Sequence, residues 1–183
     1  MEQLWRAFSQ AIPLLLILIP FVILIGWLFY NKNVKKGETK KKALYVVIIN
    51  SFLILSIIGV LLVTLLPRPG GGQSVQLVPF LSIWDTLVNS VHYTGPIRNI
   101  GFNILLFIPL GFFLTLKLQS QYKLLRITII GMLFSIGVEL AQYFLAIGRV
   151  SNIDDVILNT FGTFVGVLMG YFVKKHFVKP YLE

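Results

Sequence analysis

The sequence predicts an all-α, polytopic membrane helix bundle of five transmembrane helices, N-terminus outside and C-terminus inside, with a short external amphipathic helix. Three observations carry this expectation. Hydrophobic residues make up 56% of the 183-residue chain and charged residues only 13%, with a mean hydropathy of +0.83; soluble domains average about 25% charged residues. The apolar residues fall into long blocks separated by short polar ones, which is the pattern of the membrane class. The basic residues behind the net charge of +9 lie between those blocks, where they match an anionic inner leaflet rather than a nucleic acid. The absence of cysteine excludes disulfides, thiolate metal sites and cysteine nucleophiles.

A span needs about 20 mainly apolar residues at 1.5 Å rise per residue. Five segments qualify: Ala11–Tyr30, Ala43–Leu66, Asn99–Leu116, Leu124–Ile147 and Val156–Val173. The first two are almost pure Leu, Ile, Val and Phe. The first is expected to be a retained span and not a signal peptide: Glu2 offsets Arg6, the apolar stretch is too long, and no clear small-residue cleavage site follows. The third contains Pro109, a helix breaker that membrane helices tolerate where neighbours satisfy the freed carbonyl, so a kink is expected there.

Lysine and arginine set the orientation. Twelve lie in Asn31–Lys42, in the turn after the third span and in the tail; Arg6, Arg68, Arg98 and Arg149 lie on the other side. The basic side faces the cytoplasm, which requires an odd number of spans. One membrane domain results, with two N-terminal spans and a basic cytoplasmic loop over 1–66. An external loop with an interfacial helix occupies 67–98, and a three-helix core with a basic tail occupies 99–183.

In the external connection, Pro67-Arg68-Pro69-Gly70-Gly71-Gly72 reads as a flexible exit from the second span. Phe80, Leu81, Ile83, Trp84, Leu87, Val88 and Val91 then follow helical spacing, with Ser82, Asp85, Thr86, Asn89 and Ser90 on the other face. This predicts a short amphipathic helix with Trp84 at headgroup level; the alternative is a loop packed over the bundle.

The last three spans carry polar residues. Asn99 and Asn103 are four apart at the outer start of the third span, with Arg98 beside them. Glu139 lies eight residues before Ile147, about 12 Å from that helix end, with Gln142 and Tyr143 aligned with it. Arg149, Ser151, Asp154 and Asp155 lead into the fifth span, and Asn159 shares a face with Asp155. The spacing thus brings three polar helix faces to one depth near the outer leaflet.

Glu139 is the leading functional candidate, because an ionised carboxylate in a span costs about 2.5–3.5 kcal/mol and such residues by default mark function. Its structural alternative is an ion pair with Arg98 or Arg149. Asp155 is the second acid–base candidate. Asp154 has capping-box spacing from Ser151 and is expected to cap its own helix. Asn103, Gln142 and Asn159 are ligand contacts or interhelical glue. Arg98 and Arg149 are interfacial anchors or bidentate ligands for phosphate or carboxylate. Gly162, Gly166 and Gly170 form a small-residue packing stripe. His92 and His176 fall on opposite sides, so no metal site and no cofactor are expected.

Leu77-Val78-Pro79-Phe80, Asn103 through Pro109-Leu110-Gly111, Glu139-Leu140-Ala141-Gln142, and Gly148-Arg149 through Asp154-Asp155 to Asn159 and Gly162 together resemble the VanZ-like family, in its order, over roughly residues 77–172. The resemblance implies a multi-pass protein of a bacterial cytoplasmic membrane, of a kind associated with teicoplanin resistance in Gram-positive bacteria. The expected site binds or modifies a lipid-linked cell-envelope component or a lipoglycopeptide, with Glu139 and Asp155 as acid and base. Arg98, Asn103, Gln142, Arg149 and Asn159 are the expected ligand contacts. Membrane lipids are the general partners, no nucleic acid is expected, and the residues leave the oligomeric state and enzymatic status open. A transporter or flippase, and a structural protein whose glycine stripe packs on another chain, are the rival readings; no internal repeat favours the former.

Overall fold

Thr39 opens the second helix of the chain with its hydroxyl, accepting from the backbone N–H of Lys42, and that detail shows how the basic loop is divided between its neighbours. In the computed structural model, residues 9–67, 72–90, 94–118 and 123–178 are described, apart from the side chains of 94, 97, 98, 123 and 178. The first helix, α1, spans Ala11–Lys35 and the second, α2, Lys40–Leu65. Both extend into the lysine-rich loop beyond the expected spans, since Lys is a good helix former and its charged end reaches past the apolar layer. Leu66, the residue before Pro67, is extended as proline requires, and α2 stops there.

A short strand, β1 (Ser74–Gln76), leads to α3 (Leu81–Asn89). One helical turn (Thr94–Pro96) and a wider π turn (Ile97–Gly101) then feed α4 (Phe102–Lys117). Next come α5 (Lys123–Leu145), β2 (Val150–Asn152) and α6 (Ile153–Val173), with one further π turn over Lys174–Val178. Five helical segments are long and apolar enough to cross a membrane, as hydropathy predicts. The two strands were not anticipated: they pair in parallel, Ser74 opposite Val150 and Gln76 opposite Asn152. At three residues each they lack the alternation that reveals a strand in sequence.

The helix α6 is the central element, packed on α4 and α5, while α2 covers α4 and α1 lies outermost against α2. Glycine allows the α4–α6 contact. A Cβ at Gly162 or Gly166 would collide with the carbonyls of Ile104 and Ile108, and one at Gly111 with the carbonyl of Thr163. The glycine stripe is therefore covered within the chain, which removes the packing face that the structural-partner reading needed. The apolar core (Leu53, Val60, Phe107, Leu110 and Val138) joins α2, α4 and α5. The rings of Phe52 and Phe113 stack at 5.2 Å between α2 and α4. The helix α4 runs unbroken through Pro109.

At one end of the bundle Lys174 closes α4, its ammonium donating to the carbonyls of Thr115, Leu116 and Leu118. The Tyr45 hydroxyl also donates to the carbonyl of Leu116. These are the carbonyls a helix C-terminus leaves without partners. The other end holds the candidate site.

Candidate functional site

Four helix ends meet at the second end of the bundle: α2 and α5 finish there, and α4 and α6 begin. The helix α5 stops at Leu145, two residues before the expected Ile147, because Ala146 (φ 49°) and Gly148 (φ 70°) take left-handed backbone that cannot continue it. The chain then runs through β2 directly into α6, whose cap is Asn152; its side-chain oxygen accepts from the N–H of Asp154 at 3.0 Å. The capping box expected from Ser151 does not form. Ser151 instead donates its hydroxyl to the carbonyl of Glu139 at 3.1 Å.

Glu139 is 6% exposed. Its carboxylate accepts the backbone N–H of Asn152 at 2.8 Å, so an acid of α5 holds the residue that caps α6. Arg149 and Asp155 both lie within electrostatic reach of that carboxylate. Asp155, half-buried in the first turn of α6, accepts from the Asn103 amide of α4 at 2.8 Å. One turn deeper, the Asn159 amide donates to the Ser135 hydroxyl at 2.8 Å, joining α6 to α5. Asn159 is 2% exposed, and its Oδ1 has no hydrogen-bond donor among the described residues. Glu139, Asp155, Asn103 and Asn159 thus line the meeting of α4, α5 and α6, as their spacing suggests.

Gln142 and Arg149 turn the other way. The Gln142 amide donates to the carbonyl of Thr64 at 3.0 Å. The Arg149 guanidinium donates from Nη2 to the carbonyl of Val63 at 2.5 Å and from Nε to that of Leu66 at 3.3 Å. Together they satisfy the end of α2, where a cation also complements the helix dipole. Both side chains are engaged with main chain that would otherwise be orphaned.

Two further expectations change. Tyr143, expected beside Glu139, is exposed. Asn99 is exposed while Asn103 is partly buried, since the π turn at Ile97–Gly101 holds an extra residue and rotates Asn99 off the shared face. Arg98 lies in that π turn at the site end, but its side chain is outside the described residues, as are Arg6, Arg68 and His92.

Asp154 is the largest departure. It is 1% exposed and caps α3 rather than its own helix: its carboxylate accepts the backbone N–H groups of Phe80, Ser82 and Ile83. No local spacing reveals a partner more than 70 residues away. Ser135 was missed too, although its position four residues before Glu139, on the same face, was a usable signal. Among the described residues no group of three or more His, Cys, Asp or Glu could hold a metal ion.

Five helices of membrane-crossing length, closed at one end over a carboxylate–amide cluster, define a multi-pass membrane protein with a polar site buried among its spans. The chain belongs to the VanZ/LLP1 family, whose model matches residues 52–174. It is similar to Protein VanZ of Enterococcus faecium, 29% identical over 111 residues. That alignment covers 61% of each chain, so the chain spans less than two thirds of this relative's length. No solved structure matches. The family match includes every site residue named above and leaves α1 outside.

Proposed function

We propose that this protein lowers susceptibility to a glycopeptide of the teicoplanin type by engaging a lipid-linked cell-envelope component at the Glu139–Asp155 site. The observation that carries the reading is the pair itself: two carboxylates from different spans, within electrostatic reach of each other, held by neutral N–H donors from Asn152 and Asn103. Carboxylates are kept in a membrane interior at a cost of kcal/mol, which favours a use for them. Both are acceptors for the hydroxyl and amide donors of an envelope saccharide or peptide. The buried Oδ1 of Asn159 adds a third acceptor.

The positive-inside rule turns this end of the bundle outward, towards lipid-linked envelope precursors on the outer face of a bacterial cytoplasmic membrane. Arg98, at the same end, is then the residue to contact a lipid phosphate. Gln142 and Arg149 support the site by fixing α2. The same carboxylate pair is what acid–base chemistry would use, and turnover of a lipid-linked substrate by purified protein separates modification from binding.

A transporter reading finds less support. Below Asn159, the hydroxyls of Thr163 and Thr115 donate to carbonyls of their own helices, those of Asn159 and Gly111.

The test is a teicoplanin susceptibility assay in a Gram-positive host with wild type, Glu139→Gln and Asp155→Asn at matched membrane levels. Protection by wild type and its loss in both variants is the expected result. Protection retained by both variants would remove the site from the function, and no protection by wild type would overturn the phenotype.

A further inference from the structure

The connection between α2 and α4 carries an apolar surface that the bundle does not use. In α3 the half-buried positions are Ser82, Ile83, Thr86 and, just beyond it, Ser90. The mostly polar stripe therefore faces the protein. Leu77, Phe80, Leu81, Trp84, Leu87 and Val88 face away, with Trp84 66% exposed. A soluble surface would have the reverse arrangement, and a patch of this kind marks an interaction site.

Three features hold the segment in that attitude. The Asp154 carboxylate gathers the N–H groups of Phe80, Ser82 and Ile83 at 2.5, 2.8 and 3.0 Å. Phe80 stands in left-handed backbone at φ 66°, a conformation that a bulky residue keeps only where its surroundings demand it. Upstream, β1 pairs with β2, and the Gln73 amide donates to the carbonyl of Tyr143 at 2.7 Å. The segment can neither roll nor lift without breaking one of these.

The anchors also set its depth. Asp154 is the second residue of α6 and Tyr143 lies in the last turn of α5, so both tie the segment to the ends of spanning helices, where apolar core gives way to headgroups. Phe144 and Leu145, in the last turn of α5, are exposed as well. The outward face carries no lysine, arginine or glutamate, and Asp85 is the single charge of α3.

We propose that Leu77–Val88 is a lipid-dipping platform, clamped by Asp154, whose apolar face is covered by the acyl–glycerol boundary of the bilayer leaflet bordering the polar site. The bilayer is the occupant because the surface is apolar, almost free of charge, and fixed at the ends of two helices of membrane-crossing length, where the apolar layer gives way to headgroups. The platform does not depend on what the polar site binds.

Trp84 reports the outcome directly, as one of three tryptophans in the chain. The full chain with Trp5→Phe and Trp27→Phe is reconstituted into phosphatidylcholine–phosphatidylglycerol vesicles carrying brominated acyl chains. Trp84 emission should fall by about twofold or more with bromine near the glycerol end, less with bromine near the chain terminus, and resist aqueous iodide. Full iodide quenching without bromine quenching would mean an exposed face; protection from both would mean a protein cover. Either result overturns the proposal. In the same background Asp154→Asn should shift Trp84 towards iodide access at unchanged monodispersity, and unchanged quenching would overturn the clamp. Phe80→Gly, which accepts the left-handed backbone freely, should keep the wild-type pattern and covers the case in which Asp154→Asn fails to fold.

Discussion

The Glu139 carboxylate of α5 and the backbone N–H of Asn152 meet at 2.8 Å, so the start of the most central helix is held by an acid from its neighbour. Asn152 in turn caps α6 through Asp154, and Asp154 caps α3. A single hydrogen-bonded chain thus runs from the buried acid to the surface helix.

That chain separates the charge of Glu139 from its role as an acceptor. Glu139→Gln keeps an oxygen for Asn152 and should change unfolding free energy in detergent by less than about 1 kcal/mol. Glu139→Ala strands a buried N–H and should cost about 1–3 kcal/mol. Denaturant titration of the two purified variants measures the difference; equal losses would show that the hydrogen bond is not what Glu139 contributes to stability.

Asn103 and Asp155 join α4 to α6 at 2.8 Å. A double-mutant cycle with Asn103→Ala and Asp155→Ala should return a coupling of about 0.6–2 kcal/mol, the range for interhelical polar pairs in membranes. The same cycle between Asn103 and Gln142, which bonds to α2 instead, should return a coupling near zero.

Glycine substitutions should divide by location. Gly166→Ala places a Cβ on the Ile108 carbonyl, a backbone group that cannot step aside, and should lower the thermal midpoint through overpacking of about 1–3 kcal/mol. A Cβ at Gly137, inside α5, meets nothing within 4 Å, so Gly137→Ala should raise stability by about 0.5–1 kcal/mol through helix propensity. Thermal scans in one detergent settle both signs.

Orientation is open to chemistry because the chain has no cysteine. With the site end outward, Gly72→Cys should react with a membrane-impermeant maleimide on intact cells, and Lys36→Cys should react only after permeabilisation. Both positions are exposed. The reverse labelling pattern would invert the topology and move the site to the cytoplasmic leaflet.

Glu139 was legible as an ionisable residue inside an apolar span, and Asp155 and Asn159 because helical spacing aligns side chains four residues apart within one helix. Asn103 was legible as the polar start of its span. The same rule failed for Asn99, where the π turn breaks the period, and for Tyr143, which is aligned with Glu139 in spacing yet exposed. The main-chain bonds of Gln142 and Arg149 were not legible, because polar residues near an apolar helix end look alike in sequence. Their carbonyl partners at Val63, Thr64 and Leu66 lie 78 or more residues away, and every residue has such a carbonyl.

By itself, then, the sequence determined what depends on composition and short period: five apolar spans, the uneven basic charge, a close-packing glycine stripe, and acids that a membrane helix holds only at a cost. The tertiary structure decided which partner each polar group takes. It gave Asp154 to α3, Glu139 to the cap of α6, and Arg149 to the end of α2, and it turned the apolar face of α3 away from the bundle. The reason is physical: a span's apolarity is a sum over its own residues, whereas a hydrogen bond between distant segments depends on which backbone groups the packed helices leave unsatisfied at their ends.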